Sequence, residues 1–191
     1  KAATDEKTAK DDKKATDEKE VKEDKTADLS KEEFAAKAKD LTDTQAITAV
    51  KDAYKKELAV LSAYDPSAAV VVPDCYTAKD DYATKEKVQT YLEKEFSASY
   101  LEKLLTTSEK FKVVDGKCYI KRVNGAVKFD FTGATVKTKE VKDNQVNVTL
   151  KVVNDDETTT FKAVLVYEDA TWKLDALTYA MQSGLNGNVL A

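Results

Sequence analysis

The run Val146-Asn147-Val148-Thr149-Leu150-Lys151-Val152 alternates apolar and polar residues with period two, which is the mark of a strand with one buried face. Phe161, Ala163, Leu165 and Tyr167 repeat the pattern downstream, and Trp172, Leu174 and Ala176 repeat it again. Asp143-Asn144, Asn154-Asp155-Asp156 and Glu168-Asp169 fall between these runs, where Asn and Asp favour turns through local hydrogen bonds. Ala134 to Tyr179 therefore reads as four antiparallel strands. A sheet with one apolar face needs a cover, and amphipathic segments upstream supply it.

The chain has 191 residues, enough for one domain and a tail. Apolar residues make up 42% of it, so a sizeable core is available. Charged residues make up 35%, yet the net charge is only -4, so the two signs are mixed and no large single-sign field is implied. Arg122 is the only arginine. Nucleic-acid binders are usually basic and lean on arginine, so that class is set aside. The chain has no histidine, which removes Ser-His-Asp and Cys-His nucleophile systems and the commonest transition-metal ligand. Two cysteines cannot supply a four-thiolate zinc site. No cofactor and no metal are expected. No run of about 20 apolar residues is present, so no membrane-spanning helix is expected. The first residue is Lys1, which is compatible with signal-peptide removal or with a trimmed start.

Residues 1–29 are almost entirely Lys, Asp, Glu, Ala and Thr, and Ala3-Thr4-Asp5-Glu6-Lys7 recurs as Ala15-Thr16-Asp17-Glu18-Lys19. With so little apolar content this segment reads as a disordered charged linker, or as a transient helix. Such tails are a habit of bacterial surface lipoproteins, and any lipid anchor would sit on a residue absent from this chain. The folded domain is expected over 30–180, with a flexible end at 181–191 where Gly184, Asn186 and Gly187 fall.

Ser30-Lys31-Glu32-Glu33 is a capping box that predicts a short helix through Lys39. Thr42-Asp43-Thr44-Gln45 offers a second, opening a helix with Ile47, Val50, Tyr54, Leu58 and Leu61 on one stripe. Pro66 closes that region. Val70-Val71-Val72 reads as a short buried run, strand or packed coil, and Pro73 to Tyr82 as a loop. Thr84 leads into a helix carrying Val88, Tyr91, Leu92 and Phe96; Ser97 or Ser99 breaks it, and Tyr100, Leu101, Leu104 and Leu105 make another. Asp115-Gly116 and Asn124-Gly125 are two-residue hairpin signals, predicting a small meander of Phe111–Val114, Lys117–Val123 and Ala126–Phe131.

Cys75 and Cys118 form an even pair, which in an exported protein argues for a disulfide. Closing a loop of about 43 residues would contribute roughly 4 kcal/mol on the entropy model. Two buried reduced thiols are the equal alternative. Asp80-Asp81 and Asp155-Asp156-Glu157 lack calcium-loop spacing and read as solvated turns. Asp130 and Asp175 are placed in strands, on the solvent face or beside a pocket tyrosine. Lys110, Lys112, Lys117, Lys121, Arg122 and Lys128 concentrate positive charge on the small meander, either to discourage edge pairing or to dock an acidic partner or polyanion.

Helices first, then a curved antiparallel sheet ending in Trp172-Lys173-Leu174-Asp175, resemble the cystatin-like or nuclear-transport-factor-2-like α+β cone. Asp81-Tyr82-Ala83-Thr84-Lys85-Glu86-Lys87-Val88-Gln89-Thr90-Tyr91-Leu92, then Glu95-Phe96-Ser97, and Phe111 through Gly116-Lys117, resemble the secreted cell-wall DL-endopeptidase inhibitors of Gram-positive bacteria. The resemblance covers about Asp80 to Phe131. It implies an extracytoplasmic, non-catalytic protein that occludes the active-site groove of peptidoglycan autolysins, with a cell-wall hydrolase as partner. The Pro73 to Ala83 loop is then the expected contact, through Tyr76, Asp80, Asp81 and Tyr82. The simpler reading of these four is a surface loop whose tyrosines pack down on the domain. A small-molecule-binding cone of a surface lipoprotein is the competing function.

Overall fold

The computed structural model describes residues 29–122, 128–154, 157–183 and 188–190. Helix α1 (Lys31–Asp40) and helix α2 (Asp43–Leu61) lead into strand β1 (Cys75–Thr77) and a 3-10 turn at Asp80–Tyr82. Helices α3 (Lys85–Leu92) and α4 (Ala98–Thr106) follow, then strands β2 (Phe111–Val114) and β3 (Lys117–Lys121). The rest is strand: β4 (Thr135–Lys142), β5 (Gln145–Asn154), β6 (Glu157–Glu168), β7 (Thr171–Ser183) and β8 (Asn188–Leu190). The class is α+β, with an antiparallel five-stranded sheet in sequential order and a separate three-stranded sheet in the order β1-β3-β2.

Both capping boxes form. Ser30 Oγ accepts from the Glu33 backbone N–H and Thr42 Oγ1 from that of Gln45, while the Glu33 and Gln45 side chains accept from the two cap N–H groups. Helix α2 buries Ala46, Val50, Ala53, Tyr54 and Val60, with Ile47, Leu58 and Leu61 half-buried, so its inward face is centred one position off the predicted stripe. It packs against both β4 and β7, spanning the apolar face of the large sheet. That face carries Val146, Val148, Leu150 and Val152 of β5 and Phe161, Ala163 and Leu165 of β6, all buried. Tyr54, Phe129, Phe131, Phe161 and Tyr179 fill the space beneath the helix, with Phe129 and Phe161 edge to face at 4.9 Å. The interior that a ligand-binding cone would keep open is occupied by these rings.

The alternation on β7 breaks once. Val164 is opposite Ala176 but Leu165 is opposite Leu174, so Asp175 is the extra residue of a bulge. Beyond it Leu177, Tyr179 and Met181, not Ala176, join the core face. The bulge is where the α3–α4 connection attaches. Leu174 donates its N–H to the Glu95 carbonyl (2.8 Å) and accepts from the Ser97 N–H (3.0 Å), and Ser97 Oγ donates to Asp175 Oδ1.

Three expectations are corrected. Val70 and Val71 are exposed, at 59% and 67%; the segment is coil and not a strand, and only Val72 of that run is buried, packed with Cys75 and Tyr119. Pro73–Tyr82 is not wholly loop, since Cys75–Thr77 pairs antiparallel with β3. That strand takes the place expected for Ala126–Phe131, of which 128–131 is coil; Asn124-Gly125 lies outside the described residues. The sheet also runs past Tyr179: β7 continues to Ser183 and β8 pairs along Ala180–Gln182, which puts strand at 181–183 and 188–190 within the stretch expected as a flexible end. The predicted linker is outside the described residues except for Leu29, which packs on the core.

Ser97 is fully buried, caps α4 by accepting from the Tyr100 N–H, and supplies a donor to the half-buried Asp175 carboxylate. Ser97→Ala removes both roles and is expected to cost about 2 kcal/mol, read as a lowered urea midpoint with an unchanged slope. A midpoint equal to that of the parent would show that the bulge needs no such tie.

Candidate functional site

The stretch Tyr64–Tyr91 is built on a short stem. Asp65 N–H donates to the Thr77 carbonyl (3.3 Å) and Lys79 N–H to the Ala63 carbonyl (2.9 Å), closing the base of the 66–76 excursion. Tyr76, on β1, stacks on Tyr64 with ring centroids 4.3 Å apart and planes 8° from parallel. The Arg122 guanidinium lies 4.5 Å from the Tyr76 centroid. The loop base is thus held by aromatic stacking and a cation–π contact as well as by backbone bonds.

Asp80 and Asp81 are exposed in the 3-10 turn, whose closing bond runs from Tyr82 N–H to the Lys79 carbonyl (2.8 Å). Lys87 Nζ donates to the Asp80 carbonyl at 2.5 Å, tying the turn to α3. Tyr82 is half-buried and meets Tyr91 edge to face at 5.1 Å; burial, then the Tyr91 hydroxyl, push its phenol above the usual value. Lys56 lies 5.0 Å from the Tyr91 centroid and pairs with Glu95 at 2.8 Å. Asp81, Glu86, Lys87, Thr90, Tyr91 and Lys94 share an open groove of about 540 Å³.

The structure therefore gathers Asp80, Asp81 and Tyr82 on one turn beside Tyr91. It places Tyr76 apart from them, in the middle of β1, with Tyr64 and Arg122. Both tyrosines pack down on the domain, so the carboxylates are the exposed members of the predicted set. Sequence reasoning missed Tyr64, Tyr91 and Arg122 as neighbours. Their partners become visible only once Cys75–Thr77 is known to be a strand, and three residues between a proline and an aspartate pair gave no periodicity to read.

A second groove, about 950 Å³ and open to solvent, lies between α1 and the β6–β7 turn and includes Phe34, Tyr167, Glu168 and Asp175. Asp175 is committed there to the Ser97 hydroxyl. Asp130 is exposed, outside any strand, and accepts from the Thr132 N–H at 2.9 Å, which lowers its pKa. Among the described residues no group of three His, Cys, Asp or Glu side chains could hold a metal ion, and no helix is long and apolar enough to cross a membrane.

Cys75 and Cys118 are not joined. Cys75 is opposite Lys121 on β3, and Cys118 lies three positions away, so the two side chains leave opposite faces of the small sheet. Cys75 packs with Val72 and Tyr119, whereas Cys118 belongs to the main core. The even count suggested a bond that strand alternation forbids in this register.

The described surface here carries open grooves, a loop tied at its base and a turn with two exposed carboxylates. The family model described as IseA DL-endopeptidase inhibitor matches residues 37–178, and the chain belongs to that family. No curated protein matches it.

Both thiols are expected to react in denaturant without reductant, two per chain, with no change in thermal midpoint when reductant is added. Burial pushes the Cys118 thiol from 9.0 up to about 11. The unfolded chain therefore loses this proton first, and stability falls as pH rises from 9.0 towards about 11. Cys118→Ala should flatten part of that fall in pH-dependent urea titrations.

Proposed function

We propose that this protein acts outside the cytoplasm by binding a peptidoglycan DL-endopeptidase and occluding its substrate groove, without catalysing a reaction itself. The observation that carries this reading is membership of the inhibitor family. The Pro73–Ala83 segment is the contact. Asp80 and Asp81 stand exposed on a turn held by Lys87, so their carboxylates are presented without the entropy loss of a free loop. They meet basic residues on the rim of the enzyme's groove. Tyr82 and Tyr76 supply part of their ring surface and, more importantly, fix the turn and the loop base.

A peptidase that requires a D-residue on one side of the scissile bond finds only L-residues in this segment. The segment therefore fills the groove without offering a bond to cut. Non-productive occupancy of this kind needs neither a nucleophile nor a general base, which agrees with a chain lacking histidine. The competing small-molecule cone has no comparable support, since aromatic rings fill the space it would use.

The reading is tested by digestion of purified cell wall by DL-endopeptidases with this protein in excess. The parent is expected to suppress release of wall fragments. Asp80→Lys combined with Asp81→Lys, both exposed and so harmless to the fold, should weaken inhibition more than tenfold, about 1.4 kcal/mol or more. Tyr76→Ala and Tyr82→Ala should do the same while also lowering stability, because both rings are packed. Undiminished digestion by several such enzymes in the presence of folded parent protein would overturn the proposal.

A further inference from the structure

At the C-terminal end of α4 an open groove of about 580 Å³ runs beside the edge strand β2. Lys85, Lys112 and Lys121 line it together with Thr106, Thr107 and Ser108. The size is that of an ordinary small-ligand site. Lys121 pairs with Glu109, whose side chain is 92% exposed, and such a pair is easily displaced. Among the described residues Lys85 and Lys112 make no ion pair.

The three hydroxyls are more informative than the three charges. Thr106 Oγ1 donates to the Glu102 carbonyl at 2.6 Å, Thr107 Oγ1 to that of Lys103 at 3.0 Å, and Ser108 Oγ to that of Leu104 at 2.7 Å. Their protons are spent on the helix, so what they turn outward is lone pairs. Ser108 already accepts from the Lys110 N–H at 3.2 Å, whereas Thr106 and Thr107 keep their acceptor capacity. The negative end of the α4 dipole points the same way. A bare anion meets lone pairs and a helix C-terminus here, which repel it, along with the lysines, which attract it. A ligand that carries hydroxyl donors between its anionic groups satisfies both halves of the groove.

We propose that this groove binds a linear polyol phosphate, its phosphodiesters against Lys85, Lys112 and Lys121 and its free hydroxyls donating to Thr106 and Thr107. Each phosphodiester brings one negative charge against three lysines, so more than one repeat is engaged and the occupant is a chain. The groove is open at the strand edge, and Lys117 on the adjoining strand extends the positive track beyond it. Binding here involves none of the residues assigned to enzyme inhibition.

The test is calorimetric titration of the full chain with an oligomer of poly(ribitol phosphate) and, in parallel, with inorganic polyphosphate of matched charge. The polyol phosphate is expected to bind at least tenfold tighter than the polyphosphate, with an affinity that falls as salt rises. Lys85→Gln, Lys112→Gln and Lys121→Gln together should lower that affinity more than tenfold and flatten the salt dependence. Lys112→Gln alone, at an exposed position, should lower it severalfold and serves if the triple variant unfolds. Thr106→Val with Thr107→Val should erase the preference for the polyol chain, with polyphosphate bound no more weakly than by the parent. Equal affinity for the two polymers, no measurable binding to the parent, or full affinity in the lysine variants would each overturn the proposal. Monomeric ribitol phosphate binding as tightly as the oligomer would overturn the assignment to a chain.

Discussion

Two backbone hydrogen bonds between the Glu95–Ser97 segment and Leu174 tie the α3–α4 connection to the large sheet. Helices α3 and α4 flank that segment, and the small sheet is reached through them, α3 touching β3 and α4 touching β2. The seating of Phe96 and Ser97 on β7 is thus one of the contacts that set the small sheet against the large one. Phe96 is fully buried and stacks on Tyr100 at 4.9 Å, which anchors the segment from the core side. A second tie comes from Glu57, a buried carboxylate on α2 that meets Lys110 at 2.8 Å and accepts from the Tyr100 hydroxyl at 3.4 Å. Removing one partner of such a group leaves a charge without compensation in the interior, so this tie stabilises by being complete. The bulge at Asp175 is what makes the first tie available. An extra residue turns one carboxylate towards the Ser97 hydroxyl without breaking the ladder to β6 on either side.

The parts of this fold that could be read in advance are those whose signal is local and repeated. The period-two runs on β5 and β6 placed both strands, and Ser30, Thr42 and Thr84 marked three helix starts through hydrogen bonds made within four residues. Asp115-Gly116 marked its hairpin, both residues having the positive φ that a type I′ turn requires. Elsewhere a non-local event decided the outcome. Ala176 fits the alternation started at Trp172, but the bulge at Asp175 reverses the parity of everything after it. Nothing in the residues themselves marks that point. Strand β1 is only three residues long and owes its existence to β3, forty residues away along the chain.

The candidate site shows the same division. Asp80 and Asp81 were legible as exposed, because adjacent carboxylates rarely find enough partners to be buried. Tyr76 and Tyr82 were not separable from sequence, since a loop tyrosine can face solvent or pack. Their rings found Tyr64 and Tyr91, residues that helical periodicity had already assigned to other tasks or to none. The cysteines are the sharper case. Parity in number argued for a bond, but parity along a strand separates them, and geometry outranks counting.

The use of arginine follows from the same geometry. Every positive side chain but one is lysine, and the exception has its guanidinium carbon 4.5 Å from the ring centroid of Tyr76, at the base of the exposed loop. The lysines make point contacts that a rotating ammonium serves well, such as Lys87 to the Asp80 carbonyl and Lys139 to Asp43. At residue 122 the requirement differs. The cation sits over the ring of Tyr76, which also stacks on Tyr64, and its own backbone N–H is bound to the Asp74 carbonyl at 2.9 Å. A guanidinium is broad and weakly hydrated and suits a contact with a ring, whereas lysine at that position would keep the charge as a compact, strongly hydrated point. Asp74 carries a positive φ of 59°, so the chain turns sharply just where this bond holds it. Stack, cation and strained turn therefore act on one short segment, and together they fix the base from which Val70 and Val71 project into solvent.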